Sequence, residues 1–225
     1  MARARRAGGG AVRRLTLAAL HAELAACTAC APHLPLGPRP VLQLSATARV
    51  LIIGQAPSCS AHESGVPFAD RSGERLAGWL GIDEATLHDP AKVAIVSMGL
   101  CYPGKASGGD KPPRRECAPL WHRRLFSLLP AERLTILLGS HAQAAYLPQT
   151  KGWSLVERVR RHAEFQPLFP LPHPAWRSAL FAAANPWFEA EVLPALQSSV
   201  SKHLAETWNT WNTVQGEKSH RPGTR

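Results

Sequence analysis

Arg49-Val-Leu-Ile-Ile-Gly-Gln-Ala-Pro-Ser58 is the stretch on which the fold turns. Four consecutive branched apolar residues that stop at glycine and proline read as a strand buried on both faces. Similar segments follow at Val93-Ala-Ile-Val-Ser-Met98, Leu134-Thr-Ile-Leu-Leu-Gly139 and, more weakly, Pro167-Leu-Phe-Pro-Leu-Pro172. Helical patterns separate them at Gly73–Leu80, Arg114–Leu129 and Ser140–Leu147. Before the first strand, Leu15, Ala18, Ala19 and Leu24 mark a helix, and Pro32, Pro35, Pro38 and Pro40 an extended crossing. A last helix is expected from Trp187 to about His203. Strands alternating with helices predict an α/β fold: one three-layer α/β/α domain around a central, mostly parallel four-stranded sheet. Its bounds are read as residues 15–203, with a disordered basic arm at 1–14 and a disordered tail at 204–225.

In such sheets ligands bind beyond the carboxyl ends of the strands. That rule singles out Gly54-Gln-Ala-Pro, Ser97-Met-Gly, Gly139-Ser-His-Ala-Gln143 and Leu171-Pro-His-Pro174. Gly54 lets a ligand approach the backbone, and Pro57 stiffens the turn. Asp70, in Gly65-Val-Pro-Phe-Ala-Asp-Arg-Ser-Gly73, supplies a carboxylate, but it also precedes a helix and has two readings, catalytic group or N-cap. Phe68, read alone, is core packing. His173 stands between Pro172 and Pro174, which lock the backbone and present the imidazole rigidly; the other reading is a structural histidine bonded to a backbone carbonyl. His141 reads as a first-turn helix residue. No Walker A loop, HExxH or GxSxG occurs, so phosphoryl transfer, zincin and α/β-hydrolase chemistry lack their parts. Gly104-Lys-Ala-Ser-Gly-Gly-Asp-Lys111 reads as an exposed basic loop.

Four cysteines form a pattern of their own: Cys27 and Cys30, then Cys101 and Cys117, each beside turn residues expected to leave the thiols exposed. The chain starts without the apolar stretch of a secretory signal, so the thiols are expected to stay reduced and to share one metal site. A thiolate set selects zinc or an iron–sulfur cluster. Cys59 is a fifth thiol and reads as a non-ligand.

The net charge of +10 sits largely at the ends: residues 1–14 carry five arginines and no acid, residues 202–225 four bases and two acids, which leaves +3 for residues 15–201. Within the body, Lys105, Lys111, Arg114, Arg115, Arg123 and Arg124 gather around the second cysteine pair, the stronger indication of a polyanionic partner. No apolar run approaches the roughly 20 residues that cross a bilayer, and a cytoplasmic, nucleoid-associated protein is expected. The Arg-rich, acid-free start leaves organelle targeting open.

Taken in order, Gly54-Gln-Ala-Pro-Ser58, Gly65-Val-Pro-Phe-Ala-Asp-Arg-Ser-Gly73, Cys101-Tyr-Pro-Gly104, Glu116-Cys-Ala-Pro-Leu120 and His173-Pro-Ala175 resemble the motifs of the uracil-DNA glycosylase superfamily, closest to its iron–sulfur families 4 and 5. The resemblance runs from about Cys27 to Leu193. It implies an enzyme that flips uracil out of DNA, hydrolyses its N-glycosidic bond and leaves an abasic site, acting on uracil-containing DNA as a monomer. It implies that Phe68 stacks on the base, that Gly54, Gln55, Ala56 and Ser97 line its pocket, and that His173 bonds the uracil O2. Asp70 would activate water or stabilise the sugar cation. Ser58, Arg177, Lys105 and Lys111 would meet the DNA, and Cys27, Cys30, Cys101 and Cys117 would hold a [4Fe–4S] cluster, with zinc the alternative. Two departures matter. Ala56 stands where family 1 carries its water-activating aspartate, and Ser97 where families 1 and 4 place a uracil-reading asparagine. The latter opens hypoxanthine and xanthine as substrates, and the two together leave room for a catalytically weak DNA-binding relative.

Overall fold

The computed structural model describes residues 16–218. The basic arm expected at 1–14 and the last seven residues lie outside them. Four strands form one all-parallel sheet: β1 (Val50–Ile53), β2 (Val93–Ile95), β5 (Leu134–Leu138) and β6 (Leu168–Leu171), in the spatial order β2-β1-β5-β6. Residues Val50 and Ile52 of β1 point into one core with Ile136, Leu138 and Phe169. Leu51 and Ile53 point into the other with Ala94, Val96 and Leu137. This two-sided burial is why the strands read as continuous apolar runs rather than as alternating ones.

Helix α3 (Arg71–Leu80), α7 (Leu155–Arg160) and α9 (Leu193–Lys218) cover the first face, through Leu76, Leu80, Val159, Leu196 and Val200. Helices α1 (Leu17–Ala25), α5 (Cys117–Phe126) and α6 (Gly139–Tyr146) cover the second, through Leu20, Leu24, Trp121, Leu125 and Ala142. Three layers result. Pro170 lies in β6, an edge strand whose outer side needs no N–H donor. Gln43 bridges the other edge, exchanging backbone bonds with Ile95 at 2.9 and 2.7 Å.

Several boundaries differ from the sequence reading. Helix α5 starts at Cys117 rather than Arg114, after the break imposed by Pro112 and Pro113. A π-helical turn, Phe188–Val192, precedes α9, which runs to Lys218 instead of ending near His203. Residues 204–218, expected within an unstructured tail, thus continue a helix whose polar composition hid it from a search for apolar periodicity. Three short helices went unread: α2 (Cys59–Ser64), α4 (Glu84–Leu87) and α8 (Ser178–Ala184). The segment expected as a basic loop folds into a hairpin, β3 (Lys105–Ala106) against β4 (Gly109–Asp110). No described helix is long and apolar enough to cross a membrane.

Candidate active site

A cleft of about 500 Å³ opens at the carboxyl ends of β1, β2 and β6. The turn after β1 brings Gln55, Ala56 and Ser58 to it, the end of β2 brings Ser97, and the turn after β6 brings His173. Phe68 and Asp70 enter from the segment before α3. The strand ends are laced together, Met98 N–H donating to the Gly54 carbonyl at 2.9 Å and Gly99 N–H to the Gln55 carbonyl at 3.0 Å.

Gly54 makes room for Phe68. A Cβ on Gly54 would meet the Ser97 hydroxyl at 2.9 Å and the Phe68 ring at 3.5 Å, so only glycine lets all three share the cleft floor. Phe68 itself has φ +58, an uncommon conformation for a bulky residue. That backbone turns its ring into the cleft, 6.4 Å from the His173 ring, rather than wholly into the core.

Asp70 meets its capping reading and also lines the cleft. It is the N-cap of α3, with Oδ1 accepting from Ser72 N–H at 2.9 Å and from the Ser72 hydroxyl. Its Oδ2 accepts from the Ser58 hydroxyl at 3.0 Å and the Ser60 hydroxyl at 3.4 Å. Burial opposes its charge, but the bonds from Ser72, Ser58 and the backbone outweigh burial and hold the carboxyl below the usual carboxylate range. The group is therefore an oriented, ionised carboxylate facing the cleft. Ser58, expected against DNA, has its hydroxyl committed to Asp70 and to capping α2 through Ala61 N–H at 3.2 Å.

His173 is held by its backbone. Pro172 and Pro174 flank it, Arg75 donates to the Pro174 carbonyl at 3.0 Å, and Ala175 N–H donates to the His173 carbonyl at 2.8 Å. Gly139 brings α6 in close: a Cβ there would lie 3.4 Å from the His173 Cβ. Gln143, also on α6, donates to the Leu171 carbonyl at 2.8 Å and fixes the strand end two residues before the imidazole. In Gly139–Gln143 it is these two residues that serve the site. His141 is exposed in the first turn of α6 and lines a different groove. Among the described residues no protein group hydrogen-bonds the His173 ring, so the reading of a carbonyl-bonded structural histidine is not met. Burial pushes its pKa down, against smaller opposing pulls from Asp70 and Asp110.

Asp110 and Trp176 complete the cleft and escaped the sequence reading. Lys105 and Asp110 face each other in the β3–β4 register and pair at 3.2 Å. Arg177 reaches across to the Gly108 carbonyl at 3.3 Å and lies over the Trp176 ring at 5.2 Å, with Trp176 68% exposed at the mouth. The signal for the hairpin was present: a short Ser-Gly turn between residues of opposite charge five apart. Lys105 and Arg177, expected to meet DNA, border the cleft. Lys111 does not: its carbonyl accepts from Gln55 Nε2 at 3.4 Å, and its side chain lines a neighbouring groove with His33 and Arg114. The basic cluster is also weaker than its residue count, because Lys105 pairs with Asp110, Arg114 with Glu116 at 2.8 Å and Arg124 with Glu23 at 2.6 Å.

Cys27, Cys30, Cys101 and Cys117 line one cavity between α1, the Pro38–Pro40 segment and the start of α5. They are less exposed than their turn-rich surroundings suggested, and Cys117 is buried at 8% exposure. Burial raises Cys30 and Cys101 and pushes Cys117 up to about 12, with neighbouring thiols adding to the rise. Leu100 N–H donates to the Cys117 sulfur at 3.3 Å. Among the described residues no three His, Cys, Asp or Glu side chains stand close enough to hold one metal ion. Cys59 lies apart from this cavity, on α2, bonded to Glu63 at 3.5 Å.

Compared with known protein families, the chain matches the model of the uracil DNA glycosylase superfamily over residues 42–197, a span that contains Gln55, Phe68, Asp70, Ser97 and His173 of the cleft. The chain belongs to that superfamily, and its reaction class is that of a DNA glycosylase.

Proposed function

We propose that this superfamily member removes uracil from DNA by hydrolysing the N-glycosidic bond. One observation carries the reading: an ionised carboxylate, Asp70, and an unbonded imidazole, His173, line the same cleft beside the Phe68 ring. A flipped base is planar, apolar on its faces and polar at its edge, and its extrusion costs a few kcal/mol. Phe68 offers a face to stack on, and the Gly54–Ala56 backbone with Ser97 meets the edge.

As the bond from C1′ to the base nitrogen breaks, its electron pair leaves with the base and the sugar becomes cationic. A neutral His173, which burial favours, donates an N–H to the carbonyl oxygen on which that negative charge develops. Asp70 faces the opposite charge. A carboxylate whose pKa is held down is a weak base, so its effect is mainly electrostatic stabilisation of the sugar cation and orientation of the attacking water. Water supplies hydroxide to C1′ and, in the end, a proton to the base.

The four cysteines are assigned to a [4Fe–4S] cluster, in keeping with families 4 and 5. Two observations support a shared thiolate site: the four thiols line one cavity, and a backbone N–H is directed at one sulfur; zinc is the alternative group for such a set. Cys27 and Cys30 on one side and Cys101 and Cys117 on the other would hold such a cluster, which would serve as a structural tie between the N-terminal segment and the loop that leads into α5.

A second reading has its own support. Ser97 offers the cleft floor a hydroxyl, which can donate or accept, where an amide would read uracil strictly. Hypoxanthine and xanthine are therefore alternative bases. The test is incubation of the purified protein with labelled oligonucleotides that carry one uracil, hypoxanthine or xanthine, single- and double-stranded, followed by alkaline cleavage of abasic sites. Cleavage at uracil establishes the first reading, cleavage only at the purines the second, and failure on all three leaves a DNA-binding relative.

A further inference from the structure

We propose that His122 and Tyr146, on the far side of the cleft floor, act as a hydrogen-bonded prop that positions Ser97 and so sets which base edge the site accepts. The inference rests on the glycosylase reading and names two positioning residues that touch no substrate.

His122 is 4% exposed on α5, and its Nε2 lies 3.0 Å from the Ser97 carbonyl oxygen. A carbonyl only accepts, so Nε2 carries the proton. In a neutral ring Nδ1 is then an acceptor, and the Tyr146 hydroxyl, 2.5 Å away, donates to it. A single tautomer satisfies both bonds. Burial lowers the His122 pKa, which favours the neutral ring, and pushes Tyr146 up to about 12, which keeps its hydroxyl proton in place. Phe126 packs on the imidazole with 4.8 Å between ring centroids and encloses the pair in apolar surface.

A space-filling role alone would not call for an imidazole, because a buried polar ring costs free energy unless it is bonded. What it bonds is the backbone of Ser97, which the segment after β2 carries into the cleft. The next two N–H groups are engaged with Gly54 and Gln55, while the Ser97 hydroxyl packs against Gly54. The Ser97 carbonyl points the other way, to His122. Without His122 the peptide after Ser97 is held only on its N–H side, by Met98 N–H on the Gly54 carbonyl, so it can tilt about that bond and carry the hydroxyl at the floor with it. Displacement of a site group by about 1 Å can cost on the order of a hundredfold in rate.

The test uses the full chain with His122→Phe, His122→Gln and Tyr146→Phe. Single-turnover excision from uracil-, hypoxanthine- and xanthine-containing oligonucleotides is compared with DNA affinity, thermal melting and the ring ¹⁵N spectrum of His122. The expected result for His122→Phe is excision slowed tenfold or more at unchanged DNA affinity, with an altered uracil-to-hypoxanthine ratio. His122→Gln, whose amide N–H reaches the same carbonyl, recovers most of both, and Tyr146→Phe loses less than His122→Phe. Wild-type rate and selectivity in His122→Phe overturn the prop, as does a ring protonated on Nδ1. Equal losses in His122→Phe and His122→Gln that follow melting temperature also overturn it, showing packing alone. If the wild-type chain excises none of the three bases, the glycosylase reading fails and the prop fails with it.

Discussion

Gly73 passes so close to the Phe68 carbonyl oxygen that an added Cβ would stand 1.9 Å from it. The obstruction is backbone, which cannot swing away as a side-chain tip can. Gly73→Ala is therefore expected to cost about 3 kcal/mol or more of stability and to displace the Phe68 ring, lowering excision. Denaturant unfolding and excision kinetics check this together. A variant with wild-type stability would mean that the Phe68–Gly73 turn relaxes freely and does not set the ring.

Asp70 unites a cap and a cleft carboxylate, and one pair of variants separates the two. Asparagine caps a helix about as well as aspartate, so Asp70→Asn is expected to melt near the wild-type temperature while excision falls about 10²- to 10³-fold. Asp70→Ala loses the cap as well and costs about 1 kcal/mol. Unchanged excision in Asp70→Asn would reduce the residue to its capping role.

The acid limb of the excision profile should report His173. Burial lowers its pKa, so the neutral form persists below the usual histidine value of about 6.5. Asp70, held below the carboxylate range, stays ionised through the same interval. Activity is expected to fall only as pH drops through the folded His173 pKa. The Asp110 carboxylate raises that pKa, so Asp110→Asn should move the limb further into acid. For stability the sign follows from proton uptake: the unfolded chain protonates this histidine first, so its contribution falls as pH drops below about 6.5. His173→Gln should remove that part of the dependence.

On the proposed cluster assignment, the purified protein should contain iron and absorb visible light, and Cys117→Ser should remove both and lower the melting temperature, because four thiols share one cavity that joins α1 to α5. Iron analysis beside zinc analysis distinguishes the two metals. Iron and absorption retained in Cys117→Ser would remove Cys117 from the ligand set.

Lys105 and Arg177 border the cleft mouth, and each replacement by alanine should weaken DNA binding alike on all sequences and reduce the salt slope by about one. Lys111→Ala, outside the cleft, should change excision less than either. The reverse order would move the DNA path to the groove beside His33 and Arg114.

The strands were legible because a parallel sheet covered on both faces demands runs such as Val50–Ile53, which nothing else in the chain imitates. Gly54–Ser58 and His173 were legible because strand ends and flanking prolines mark where a ligand lies, whereas Phe68 alone read as core packing and Asp70 as cap or catalyst, and only the family resemblance set them at the site. Asp110 was not, because its place depends on a two-residue hairpin whose strands carry no apolar pattern. Trp176 was hidden by a loop, and α9 beyond His203 by its polar composition.

The sequence by itself determined the layered α/β architecture, the position of the cleft and the residue types that chemistry would require, since periodicity and turn chemistry are local. Only the tertiary structure decided which of them meet. It made Asp70 a cap and a cleft carboxylate at once, turned Ser58 toward it, neutralised part of the basic cluster, and set His122 behind Ser97. The physical reason is distance in the chain: Ser97 and His122, or Arg177 and Gly108, are brought together by packing against a shared sheet, and no local pattern encodes that contact.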